Sequence, residues 1–139
     1  MIVLDASVLY ALMDRRDTRH AEALGWYETT EDEIGMTPLV LAEVDHLVRA
    51  RAAPEAVRAF RSDLAAGAYL VDWWPAAAAE SAKLAERYSE LALSLADASL
   101  AVLAARYHTV AIATFDERHF RVIRPLTGEP AFRLLPLDA

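Results

Sequence analysis

Short, uninterrupted apolar runs alternate with helical segments along this chain, and that alternation restricts the fold more than any other feature. The first run, Ile2-Val3-Leu4, is apolar on both faces, the pattern of a strand covered on both sides. Ile34-Gly-Met36, residues 68–74 closed by Pro75, and residues 109–113 read as three more strands. Residues 120–123 read as a short fifth, and 132–135 as a terminal edge strand. Between them lie helical segments: 6–13, then one capped by Asp17 or Thr18 and running to about Thr30 with Ala21, Leu24 and Tyr27 inward. Others cover Pro38 to about Ala52 (Thr37 capping, proline at the first position), Pro54 to Gly67, 76–88, and about 95–107. Strands separated by helices predict an α/β fold, a three-layer α/β/α sandwich around a mostly parallel sheet. No Gly/Ser-rich linker and no internal repeat interrupts it, so one domain over 1–139 is expected.

Composition narrows the chemistry. The chain has no cysteine, which excludes a disulfide framework, a thiolate metal site and a cysteine nucleophile. The start lacks the basic segment of a signal peptide, and no apolar stretch is long enough for a membrane span, so a soluble, cytoplasmic protein is expected. Net charge is −7, with 14 basic and 21 acidic side chains, which argues against a broad basic surface for nucleic acid. The arginines do cluster: Arg15, Arg16 and Arg19; Arg49 and Arg51; Arg118, Arg121 and Arg124.

Four carboxylates stand out against this frame. Asp5 ends the first strand and Asp116 follows the fourth, so parallel strands put both at one edge of the sheet. Each alternatively reads as a helix cap. Glu43 shares an i, i+4, i+8 stripe with Leu39 and Leu47, beside the stripe of Val40, Val44 and Val48, and so interrupts a face expected to be buried. Its plainer reading is an acid at the margin of that face, in water or paired with Arg49 or Arg51. Asp97 flanks Leu100 and Leu103 one turn earlier. It reads as an N-cap, or as an interior residue if Ser94 caps instead. Four carboxylates within about 5 Å would repel by roughly 3 kcal/mol per pair at an effective dielectric of about 20. Such a cluster calls for shifted pKa values or a cation. All-oxygen ligands favour Mg²⁺ or Mn²⁺ over zinc, and a site of that kind suits phosphodiester hydrolysis.

The chain resembles the PIN domain, and more narrowly the VapC ribonuclease toxins of toxin–antitoxin pairs. The resemblance rests on Asp5-Ala-Ser7 after the first strand and Glu43 in a Pro-initiated helix. It also rests on Leu95-Ala-Asp97-Ala98 opening a helix and on Thr114-Phe-Asp116 with His119-Phe120. It spans essentially the whole chain. It implies that Asp5, Asp97 and Asp116 bind metal with Glu43 as acidic partner, while Ser7 and Thr114 orient those carboxylates. It further implies a Mg²⁺- or Mn²⁺-dependent endoribonuclease acting on RNA, a homodimer, and silencing by a VapB-type antitoxin.

Two other readings compete. Haloacid-dehalogenase-like phosphatases also place Asp after a first strand, but they want a second Asp where Ser7 stands and a dedicated lysine that Lys83 does not obviously supply. A PIN-like module that only binds RNA or protein would not need four clustered acids. Arg118, beside Asp116, and Arg15 and Arg16 are candidate RNA contacts. His119 reads as a packing or hydrogen-bonding residue, and one of Trp73 and Trp74 as a candidate stacking surface.

Overall fold

Val3, at the centre of the first apolar run, pairs on both sides, and the sheet grows outward from it. A computed structural model describes all 139 residues. Strands β1 (Ile2–Leu4), β2 (Ile34–Met36), β3 (Leu70–Val71), β4 (Ala111–Ala113) and β5 (Arg133–Leu135) form one five-stranded sheet in the order β3-β2-β1-β4-β5. Every pairing is parallel, with Val3 opposite Gly35 on one side and Ile112 on the other. The helices are α1 (Ala6–Met13), α2 (His20–Thr29), α3 (Pro38–Arg51), α4 (Pro54–Ala65), α5 (Ala77–Arg87), α6 (Leu95–Arg106) and α7 (Glu117–Phe120). The chain steps one way from β1 to β3 and then crosses back to β4 on the other side of β1. Right-handed crossovers therefore put α1–α4 on one face and α5–α6 on the other, which makes the three layers.

The central strands are buried on both faces, as their composition requires: Val3, Leu4, Ile112 and Ala113 are all inaccessible. Val40, Val44 and Val48 of α3 and Leu100 and Leu103 of α6 close the core from the flanking layers. No helix is long and apolar enough to cross a membrane.

Four expectations need correction. Residues 120–123 are not a strand. The Asp116 carboxylate accepts the backbone N–H of His119 and starts α7, and Val122 and Ile123 both bond back to the His119 carbonyl. The strand read over 68–74 shrinks to Leu70–Val71, because β3 is an edge with a single partner and Trp73 already faces solvent. The second helix begins at His20. Asp17 accepts the backbone N–H of Arg19 in a turn rather than capping the helix, and Ala23 and Trp26, not Ala21, are the buried positions. Finally, the stripe of Leu39, Glu43 and Leu47 is the margin of α3 and not a buried face, so Glu43 is exposed. It pairs with neither arginine, since Arg49 bonds Asp45.

Candidate active site

Strand order reverses between β1 and β4, and at such a reversal the loops leaving the two carboxyl ends diverge and open a crevice. The acids that follow those strands stand at its mouth. Asp5 continues the ladder, donating its backbone N–H to the Ala113 carbonyl. It occupies the N-cap position of α1, yet its side chain caps nothing. Instead Oδ2 accepts the hydroxyls of Ser7 at 2.7 Å and Thr114 at 2.8 Å. Thr114 Oγ1 also accepts the Asp116 N–H at 2.9 Å, and Ser7 Oγ the Phe115 N–H at 3.0 Å. Two hydroxyls thus stitch the first carboxylate to the loop carrying the second. At 5% exposure, Asp5 is pushed by burial above the usual carboxylate range, against the pull of those hydroxyl bonds.

The other two acids come from helices whose first turns meet at the same edge. Ser94, not Asp97, caps α6, accepting the Asp97 N–H, which leaves the Asp97 carboxylate free in the first turn. Thr37 caps α3, and its buried hydroxyl also meets Ser99 Oγ of α6 at 2.8 Å. That contact ties together the helices bearing Glu43 and Asp97, and sequence reading misses it because Ser99 looks like any small core residue. Asp97, 17% exposed, is raised by burial and then by the negative charges of Asp5 and Asp116, with Ser94 and His119 opposing. Glu43 is raised by partial burial of its carboxylate and by the charges of Asp5 and Asp97.

Oxygen atoms of Asp97 and Asp116 and a ring nitrogen of His119 lie within 4.8 Å of one another. His119 Nε2 donates to the Leu91 carbonyl at 3.0 Å, and Nδ1 stands 2.7 Å from Asp116 Oδ2 and 3.7 Å from Asp97 Oδ2. Burial works against a charged imidazole here, but the Asp116 bond and charge, the Leu91 carbonyl and the Asp97 charge outweigh it, and its pKa rises. No lysine or arginine pairs with any of the four acids. Asp5, Glu43 and Asp116 line one cleft of about 390 Å³ together with Ser7, Tyr10, Asp17, Arg19 and Phe115.

Of the arginines singled out in the sequence, Arg118 is exposed on α7, while Arg15 and Arg16 line a separate depression against α4. Trp74 is half-buried under the Arg106 guanidinium, and Trp73, just past β3, is 37% exposed and does not line the acidic cleft. Among the cleft residues that sequence reading left unassigned are Tyr10, Arg19 and Phe115, and the last two lie together. The available signals were the Asp17-x-Arg19 spacing of a side-chain turn and the aromatic between Thr114 and Asp116.

A parallel sheet with acids gathered at its switch point is the architecture of the PIN domain, and the PIN domain family model matches residues 2–125. Ribonuclease VapC26 of Mycobacterium tuberculosis (strain ATCC 25618 / H37Rv) is 34% identical over 128 residues, which cover 91% of this chain and 95% of the relative. Among solved structures, Mycobacterium tuberculosis VapC20, a sarcin–ricin loop cleaving toxin, superposes with a TM-score of 0.77 at 20% identity, covering 84% of this chain and 90% of its own. FitAcB from Neisseria gonorrhoeae gives a TM-score of 0.59 at 20% identity, with 84% and 88% covered. The chain belongs to the PIN-domain family and, within it, to the VapC-type ribonuclease toxins.

Proposed function

We propose that this chain is a Mg²⁺- or Mn²⁺-dependent endoribonuclease, folded as one domain over 1–139, that acts in the cytoplasm as a homodimer and is silenced by a VapB-type antitoxin. The observation that carries the catalytic part is the set of four acids with no lysine or arginine partner and one imidazole, His119, beside two of them; Asp5 is raised in pKa by burial, and Glu43 and Asp97 by burial and by the charge of neighbouring acids. A protein keeps such a set where a cation completes it. The donor chemistry fits a hard divalent ion: carboxylate oxygens, with the one nearby imidazole committed to Leu91 and Asp116. Asp5, Asp97 and Asp116 would hold the ion, with Glu43 closing the site. Such an ion, when bound, activates water for in-line attack on phosphorus and neutralises charge on the leaving oxygen.

The protein's own groups do the rest. Ser7 and Thr114 fix the rotamer of Asp5 by donating both hydroxyl protons to one oxygen, Oδ2. His119 holds Asp116 in place through two contacts, from its backbone N–H and its ring. RNA as substrate follows the ribonuclease relative. Arg118 is the candidate for a flanking phosphate, whereas Arg15 and Arg16 would meet RNA only at their separate depression.

The test is cleavage of bulk RNA by the purified protein with Mn²⁺, beside EDTA and an Asp97→Asn variant. Cleavage should vanish with EDTA and fall more than about 100-fold in the variant. Cleavage that persists in both would sink the assignment.

A further inference from the structure

Among the ten residues lining the acidic cleft there is one cation, Arg19, and the protein holds it in an unusual way. Asp17 Oδ1 accepts its backbone N–H at 2.8 Å, which fixes the turn leading into α2. Its guanidinium carbon sits over the Phe115 ring, 4.0 Å from the centroid, and Phe115 is the residue between Thr114 and Asp116. The cation is therefore docked on the loop that carries one of the acids, yet it forms no ion pair with Asp5, Glu43, Asp97 or Asp116. Its one carboxylate neighbour is Glu22, 3.1 Å from Nε, and even there Nε is inaccessible and makes no aligned hydrogen bond. Neither terminal nitrogen donates a hydrogen bond within the protein, although the side chain is 41% exposed.

No other arginine lines the cleft, and several are engaged elsewhere. Arg16, Arg61, Arg106 and Arg121 are spent on carbonyls and carboxylates elsewhere, and Arg49 and Arg58 pair along their own helices. Arg19 alone combines a place in the cleft with two terminal nitrogens unused within the protein and a guanidinium set over an aromatic ring. A planar fork of that kind matches two oxygens of a phosphodiester.

We propose that Arg19, stacked on Phe115, binds a phosphate of the RNA strand in the cleft and sets where the strand lies relative to the acids. The assignment rests on the nuclease reading above. It also answers how a chain of net charge −7 grips a polyanion: through one oriented cation at the site instead of a basic face.

The experiment is cleavage of bulk ribosomal and transfer RNA with saturating Mn²⁺ by wild type, Arg19→Gln, Arg19→Lys and Phe115→Leu, each checked for wild-type circular dichroism. Arg19→Gln should raise KM about tenfold and lower the salt slope of kcat/KM by about one contact, with calorimetric Mn²⁺ affinity unchanged. Arg19→Lys should recover part of the loss. Phe115→Leu, which keeps the charge and removes the platform, should raise KM by a smaller factor, and it carries the test if Arg19→Gln does not fold. Wild-type KM and salt slope in Arg19→Gln, with an active parent, would overturn the assignment alone. So would a fall in kcat accompanied by weaker Mn²⁺ binding, which would make Arg19 a support of the metal site. A wild-type protein that cleaves nothing would overturn the nuclease reading, and the assignment with it.

Discussion

Asp97 and Asp138 are carboxylates of comparable accessibility, 17% and 29% exposed, and their surroundings push them in opposite directions. Asp138 receives two hydrogen bonds from the Arg121 guanidinium, at 2.7 and 2.8 Å, and one from the Leu134 N–H. Arg121 reaches Glu117 as well, so one cation serves two acids and ties the chain's end to α7. These bonds hold the Asp138 carboxyl down at about 2. Asp97 faces the reverse situation: burial and the charges of Asp5 and Asp116 drive it up. Where charge is neutralised within the protein, a carboxylate cluster is a fastener. Where it is left in excess, the cluster stores repulsion that a bound cation relieves.

The largest effect expected from this contrast is at Thr114, which serves both Asp5 and Asp116. Thr114→Val should weaken Mn²⁺ binding by about 10- to 100-fold in calorimetry, because Asp5 loses a donor and the Asp116 N–H its acceptor. Unchanged affinity would mean the hydroxyl does not organise the acids.

Next comes a pair of melts on metal-free protein. Asp138→Asn should lower Tm by about 2–5 °C and leave RNA cleavage untouched, whereas Asp97→Asn should raise Tm by a similar amount while abolishing cleavage. Shifts of the same sign would erase the distinction between the two regions.

The smallest effect is in pH. Asp5, Glu43 and Asp97 have raised folded-state pKa values, so their charge opposes folding at neutral pH, and stability returns as pH falls through those values. His119 is also raised. Its contribution is complete below its unfolded value near 6.5 and is lost as pH rises through the higher folded value. The Asp138 contribution is present above 3.8 and disappears only as pH falls towards about 2. Metal-free protein should therefore melt about 2–4 °C higher at pH 5 than at pH 8. Saturating Mn²⁺ should invert that trend, because protons and metal compete for the same oxygens. A scan with and without EDTA checks both signs.

What the sequence discloses and what it hides follow from range. Ile2-Val3-Leu4 and Asp5 are legible because strand, edge and acid are consecutive, and Thr37-Pro38 because cap and first turn are local. At Asp97 the sequence leaves two caps open, and the structure chooses Ser94. The segment 120–123 misleads because Phe120 and Ile123 pack from a turn while Val122 stays exposed, a choice helped by one hydrogen bond that the His119 N–H donates to the Asp116 carboxylate. Trp73 and Trp74 look like strand interior, but β3 has only one neighbour to pair with. Arg19 on Phe115 and Thr37 on Ser99 are contacts between residues 96 and 62 positions apart, and no periodicity within one element reports them.

The buried hydroxyl pair of Thr37 and Ser99 has a mechanical meaning. It joins α3 and α6 near their first turns, close to the levers on which Glu43 and Asp97 ride, and works as a rivet at a pivot. Carboxylates on separate helices would drift apart with every breathing motion of the crevice, and each capture of an ion would have to reassemble them. Riveted, the two levers would swing as one body, so the jaw is set to its gauge when the chain folds, and a cation of the kind proposed would find the ordering already complete.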